Sequence, residues 1–151
     1  MMQKSQSGRS MIEMLAVLMI IGVLTISALA GINQVTRKFY IGKMHNDIHS
    51  ISAEVVNLYA WQRSYPDSGT DGFQAILCAE GIFPDGCDAD DVAYNPFGGT
   101  YTVTTDVGNQ TLTVEASGLP DSACEDLTIQ EWLYLVGEPT CNNGTFRVTF
   151  E

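Results

Sequence analysis

The stretch Gly8-Arg9-Ser10-Met11-Ile12-Glu13-Met14-Leu15 opens a run that continues from Ala16 to Ile32 without a charged residue, and its reading decides the fold. From Met14 to Ile32 there are 19 consecutive uncharged residues. As an α-helix at ~1.5 Å per residue they span roughly 28 Å, close to the ~30 Å of a bilayer core. A membrane-spanning helix is the expectation. Glu13 is what a plain anchor leaves unexplained, because insertion scales put an acidic residue at mid-membrane at a cost of about 2.5–3.5 kcal/mol. Such a carboxylate requires a partner.

Helical patterning extends well beyond the apolar run. No proline occurs between Met1 and Tyr65, and Met44, Ile48, Ile51, Val55 and Leu58 recur in steps of four and three, a single stripe on a helix. Asn46, Asp47, His49, Ser50 and Glu54 fall off that stripe and read as a solvated face. One helix from about Ser10 to Trp61 would be roughly 75 Å long, too long to belong wholly to a compact head. Its first half is expected in membrane or among other subunits, and its second half against a sheet. Gly22 and Gly31 each cost about 1 kcal/mol of helix propensity, so the segment between them is expected to unwind in an assembled filament; close helix packing in a membrane is the other reading of both glycines.

The charges are divided. Lys4, Arg9, Arg37, Lys38 and Lys43 against Glu13 give residues 1–43 a net +4, whereas Arg63 and Arg147 against 17 acids give residues 44–151 a net −15. So acidic a head argues against sequence-independent nucleic-acid binding, which needs cations to displace phosphate counterions. The four cysteines, Cys78, Cys87, Cys124 and Cys141, all lie in this head with no Cys-x-x-Cys pair and no histidine completing a zinc set. Disulfides in an oxidising compartment are the reading. Four cysteines allow three connectivities, of which Cys78–Cys87 with Cys124–Cys141 is favoured because each closes a short loop worth about 3 kcal/mol in the chain-entropy model.

Ser64-Tyr65-Pro66-Asp67-Ser68-Gly69 carries the turn chemistry that ends the long helix. Gly72 to Glu80 is expected as a short helix, and Gly81-Ile82-Phe83-Pro84-Asp85-Gly86 as the turn that brings Cys78 to Cys87. Tyr101-Thr102-Val103-Thr104 and Thr111-Leu112-Thr113-Val114 flank Asp106-Val107-Gly108-Asn109 as a β-hairpin, and Thr145 to Phe150 alternates as a last strand. Between them Asp121 or Ser122 caps a helix expected to run through Tyr134, with Leu127, Trp132, Leu133 and Leu135 as its apolar surface and Gly137 ending it. Trp132 reads as core. The fold class is therefore α+β: a long amino-terminal helix on an antiparallel sheet of three or four strands.

Gly8, Glu13 five residues after it, and Ile20-Ile21-Gly22 within the run resemble the amino-terminal signature of type IV pilins and related prepilin-like proteins. Asn95-Pro96-Phe97-Gly98-Gly99 before a strand, and Ser117-Gly118-Leu119-Pro120 before a cysteine-bearing helix, are similar to type IVb-like heads. Two positions depart from the pattern: Arg9 stands where phenylalanine or methionine is usual, and Ala30-Gly31 where a proline is common. The resemblance implies cleavage by a prepilin peptidase between Gly8 and Arg9, methylation of the new amino terminus, and Glu13 as the assembly carboxylate; because an unpaired carboxylate in an apolar bundle is costly, its expected partner is the α-amino group of Arg9 on a neighbouring subunit. Residues 1–8 would then be a leader, 9–32 the membrane or filament-core half-helix, 33–61 the amphipathic half-helix and 62–151 the head. The leader is polar and lacks the apolar core of a secretory signal, so the cleavage signal precedes the hydrophobic run and leaves it in the mature protein. The implied partners are other copies in a helical homopolymer, the peptidase and an inner-membrane assembly platform. The implied place is the bacterial inner membrane before assembly and an extracellular pilus afterwards.

Enzymatic chemistry has little to rest on. No phosphate-binding loop, nucleotide fingerprint or nucleophile elbow occurs. His45 and His49 lie four apart, without the glutamate of a metalloprotease motif, and read as a solvated polar face; Asp85, Asp88, Asp90 and Asp91 lack the glycine and terminal glutamate of a calcium loop and read as a solvated acidic loop. No cofactor and no metal is expected. A minor pilin or secretion-system pseudopilin would share the same helix, and an anchored periplasmic binding module that never polymerises is the alternative from another class.

Overall fold

The computed structural model describes residues 7–62, 65–66, 72–108 and 110–151. Residues 1–6, 63–64, 67–71 and 109 lie outside the described residues, among them most of the Ser64 to Gly69 turn expected to end the long helix. The helix α1 runs Ser7–Tyr59, 53 residues. Two units follow the chain, residues 1–38 and residues 39–151.

In the first unit the helix from Met14 to Ile32 is apolar on every side and its large side chains are exposed, Met19 at 74% and Ile20 at 62%. Such an element is stable only in lipid or among other helices. Its few hydroxyls are already satisfied within the helix: Thr25 Oγ1 donates to the Ile21 carbonyl at 2.7 Å and Ser27 Oγ to that of Val23 at 2.9 Å. Local back-bonding of this kind removes the cost of carrying a polar group into an apolar medium.

The second unit is built on the other part of α1. Met44, Ile48, Ile51 and Val55 are fully buried, and Leu58 packs at the margin of the same core. Facing them is a five-stranded antiparallel sheet, order β1-β2-β3-β5-β4, with β1 Ala93–Tyr94, β2 Thr100–Asp106, β3 Thr111–Ala116, β4 Thr140–Asn142 and β5 Thr145–Phe150. The register lines up the inward side chains in rows across the three long strands: Tyr101, Ala116 and Phe146; Val103, Val114 and Val148; Thr105, Leu112 and Phe150. A one-residue slip would turn every one of them to the other face, so the alternation fixes the pairing. On the outer face Glu115 and Arg147 sit directly opposite and form an ion pair at 2.7 Å.

Five strands replace the three or four expected. The additional ones are β1 and β4, two and three residues long, too short to show a pattern of their own. Asn143 and Gly144, with φ of 50° and 71°, turn β4 into β5 as the left-handed pair that a two-residue hairpin requires. The helices α2, Phe73–Ala79, and α3, Asp121–Thr128, complete the head.

α3 is shorter than expected and starts differently. Pro120, not Asp121 or Ser122, holds the N-cap position, and no side chain caps it. The helix stops at Thr128, and its last turn is satisfied from outside it: the Leu127 carbonyl accepts from the Gln130 amide at 3.3 Å and from Trp132 Nε1 at 3.0 Å. Tyr134, with φ of 60°, lies beyond in a left-handed turn. Leu133 is consequently exposed rather than part of a helix face.

Asp47 corrects the reading of the polar face of α1. It is buried and accepts a hydrogen bond from Tyr101 Oη at 3.3 Å. Burial pushes its carboxyl above the usual carboxylate range, with Lys43 opposing, and the same burial drives the Tyr101 phenol far up. A carboxyl raised in the folded state binds its proton more tightly there, so its contribution is most favourable below the unfolded value of 3.8 and is lost as pH rises through the folded one. Asp47→Asn is therefore expected to raise the melting temperature at pH 7, with the gain closing as pH falls below 3.8. Thermal unfolding of both proteins across that range checks the sign.

Candidate functional site

Gly8 and Arg9 lie in the first turn of α1, which begins at Ser7; the Arg9 side chain is outside the described set. Glu13 follows one turn after Arg9, exposed on the helix and flanked by Ile12 and Met14, themselves 71% and 70% exposed. It is the one acidic residue between Met11 and Ile32, a stretch within a helix long and apolar enough to cross a membrane. α1 continues without interruption through Gly22 and Gly31, and a Cβ at either would meet nothing within 4 Å. Both glycines thus leave flat, open places on the helix surface where another helix can approach closely.

The head is cross-linked within itself. Disulfides join Cys78 to Cys87 and Cys124 to Cys141, with Cα separations of 5.6 and 5.8 Å, ordinary for the bond. The first closes the turn after α2 and the second ties α3 to the short edge strand β4. Asn95 wires the turn between β1 and β2: its Oδ1 accepts from the Phe97 and Gly99 amides at 2.9 and 3.2 Å, and its Nδ2 donates to the Ser117 carbonyl at 2.7 Å. Sequence reading named the turn but not the buried amide that closes it. An asparagine directly before proline in a turn cluster was the available signal.

The acidic stretch does structural work. Asp85 pairs with Lys43 on α1. Asp88 accepts from the Asp90 and Val92 amides at 3.0 and 2.9 Å and from the Tyr94 hydroxyl at 3.0 Å, bonds that hold its carboxyl below the ordinary range. Among the described residues no group of His, Cys, Asp and Glu is arranged to hold a metal.

His45 and His49 are not on a solvated face, as the sequence suggested. Both rings pack against Trp132, with centroids at 4.6 and 5.1 Å, and Trp132 in turn lies against Phe146. Desolvation, followed by the neighbouring His45, lowers the proton affinity of His49. A group lowered on folding opposes stability when protonated. Acidification from pH 7 through the range below the ordinary imidazole value of 6.5 is expected to weaken the head, and His49→Gln to lessen that loss. Trp132 fluorescence during thermal unfolding at pH 7 and pH 5 reads the difference.

What the chain offers is an unpartnered apolar helix bearing one carboxylate, joined to a cross-linked head. Comparison with curated proteins and with solved structures returns no match. The family model described as PilS N terminal matches residues 40–133, beginning after the apolar run and covering the amphipathic end of α1 through α3. The match therefore rests on the head, independently of the Gly8 to Ile32 signature, and the chain belongs to the PilS N-terminal family of type IV pilin domains.

Proposed function

We propose that this chain is the structural subunit of a type IV pilus-like filament, cut by a prepilin peptidase between Gly8 and Arg9 and assembled through the apolar half of α1. The observation that carries the reading is Glu13 on a wholly exposed apolar helix attached to a pilin-family head. That family is structural rather than enzymatic. Residues 1–8 act as the leader, 9–32 as the membrane anchor and later the filament core, 33–61 as the helix segment leading into the head, and 62–151 as the head itself.

Before assembly the subunit waits in the inner membrane, where Met14 to Ile32 match the hydrocarbon thickness. Assembly exchanges lipid for other helices, so the gain comes from shape and close packing rather than from leaving water. Gly22 and Gly31 permit that close approach. Glu13 then pairs with the α-amino group of Arg9 on a neighbouring subunit, assisted by the Arg9 guanidinium, because a lone carboxylate in an apolar bundle is costly. The contact is head-to-tail and does not close, so repetition gives a fibre rather than a ring.

Intact mass and amino-terminal sequencing of protein sheared from cells of the native host test the processing. The expected chain begins at methylated Arg9, lacks residues 1–8 and is four hydrogens lighter for its two disulfides. Membrane-bound protein that still begins at Met1 or Met2 would remove the processing role from Gly8.

A further inference from the structure

The head carries an open groove of about 1120 Å³ beside the second half of α1. Val56, Ile129, Leu133 and Tyr134 line it with apolar surface, and Glu131 and Glu151 stand at it with carboxylates. Ile129, Leu133 and Tyr134 are 78%, 68% and 82% exposed, a concentration of uncovered apolar side chains that a water-soluble surface does not need. We propose that this groove is the seat of a second copy of the chain, which inserts the helix face made by Val35, Lys38, Phe39 and Gly42. The proposal rests on the filament reading above and names the contact between heads and neighbouring helices.

Three observations select that occupant. Val35, Lys38, Phe39 and Gly42 follow the i, i+3, i+4, i+7 spacing of one helical face, the pattern of a helix laid into an apolar groove. Val35 and Phe39 are 69% and 66% exposed, Lys38 is exposed, and a Cβ at Gly42 would meet nothing within 4 Å, so the face is uncovered in the single chain. The charges also match: residues 44–151 carry a net −15, and residues 9–43, which remain once the leader is cut, carry Arg9, Arg37, Lys38 and Lys43 against Glu13, a net +3. Packing heads only against heads would crowd like charge. Seating the basic collar of one copy in the acidic groove of another brings Lys38 to Glu131 and Glu151, relieving that repulsion and fixing the register. The two surfaces differ, so the contact is heterologous and propagates.

The test is a paired-cysteine fibre. Phe39→Cys and Leu133→Cys in one chain, oxidised at the cell surface and sheared, are expected to give a ladder of covalent multimers on non-reducing electrophoresis, and each single variant only monomers. A charge reversal reads the same contact without new thiols. Lys38→Glu is expected to lower the sheared fibre about tenfold, the loss of one charge pair, and Glu131→Lys in the same chain to restore it. Wild-type fibre with no ladder, and no rescue of Lys38→Glu, overturns the groove contact and leaves the filament reading standing. A cross-link from Leu133→Cys to a different protein assigns the groove to another partner and overturns it too. Absence of wild-type fibre from the native host overturns both. Where the double cysteine variant yields no fibre, the charge-reversal pair decides.

Discussion

Glu13→Ala is expected to leave the subunit in the membrane at wild-type amounts and to reduce surface fibre by a factor of roughly 100 or more. The reasoning is energetic. In lipid before assembly the single carboxylate lies about one turn after Arg9, the new amino terminus, near the interface, where water and headgroups solvate it at modest cost. In a bundle of apolar helices no such solvation remains, and the charge must find a cation there. Removing one partner of a buried pair leaves the other uncompensated, at about 3–5 kcal/mol. At 1.4 kcal/mol per factor of ten, that is roughly 100- to 4000-fold for each added subunit. Glu13→Gln separates charge from shape: it fills the same space and is expected to fail as alanine does. Immunoblots of membrane and sheared fractions, with electron micrographs, measure both. Normal fibre from Glu13→Ala would show that the carboxylate does not drive assembly.

Gly99→Ala is expected to destabilise the head by more than about 4 kcal/mol, beyond an ordinary substitution. A Cβ at Gly99 would fall on the Ser117 carbonyl oxygen and 2.5 Å from its carbonyl carbon. The surroundings cannot yield. Ser117 is paired through backbone and side chain with Thr100, and its carbonyl also takes the Asn95 Nδ2 hydrogen bond. Gly118 faces the same spot, where its own Cβ would lie 2.9 Å from the Gly99 Cα. The neighbouring Gly98 provides the contrast. It has φ of 85° but open space around it, so Gly98→Ala should cost only about 1 kcal/mol, from backbone strain alone. Denaturant unfolding of the two variants in detergent, followed by Trp132 fluorescence, is expected to show the large difference. Equal losses would mean that the close crossing of the Gly99 and Ser117 backbones is not a rigid feature.

What the sequence disclosed and what it concealed follow from how far each signal reaches. The stripe from Met44 to Val55 and the alternation in the three long strands were readable, because a buried face repeats over enough residues to show its period. β1 and β4 have no period to show; pairing with a longer neighbour holds them. For β4 a local signal did exist in Asn143-Gly144, the residue pair that a tight hairpin favours. The end of α3 was hidden for a different reason. Leu127, Trp132, Leu133 and Leu135 look like a continuing helix face, but the Trp132 indole folds back to cap the Leu127 carbonyl, a tertiary choice that propensity does not encode. Asp47 was concealed likewise, since its burial depends on Tyr101, 54 residues away. The apolar run and Glu13 were legible at once, because length and charge need no partner to be read.

The central claim is that the apolar half of α1 forms the core of a fibre and that Glu13 meets the amino terminus of the next subunit. Helical reconstruction of fibres sheared from the native host tests it most directly. The account predicts residues 9–32 of successive copies bundled along the axis, the Glu13 carboxylate within hydrogen-bonding distance of a neighbouring Arg9 amino group, and cross-linked heads on the outside. Fibres built without this chain, or the chain recovered only as a membrane-bound monomer with an uncut amino terminus, would contradict it.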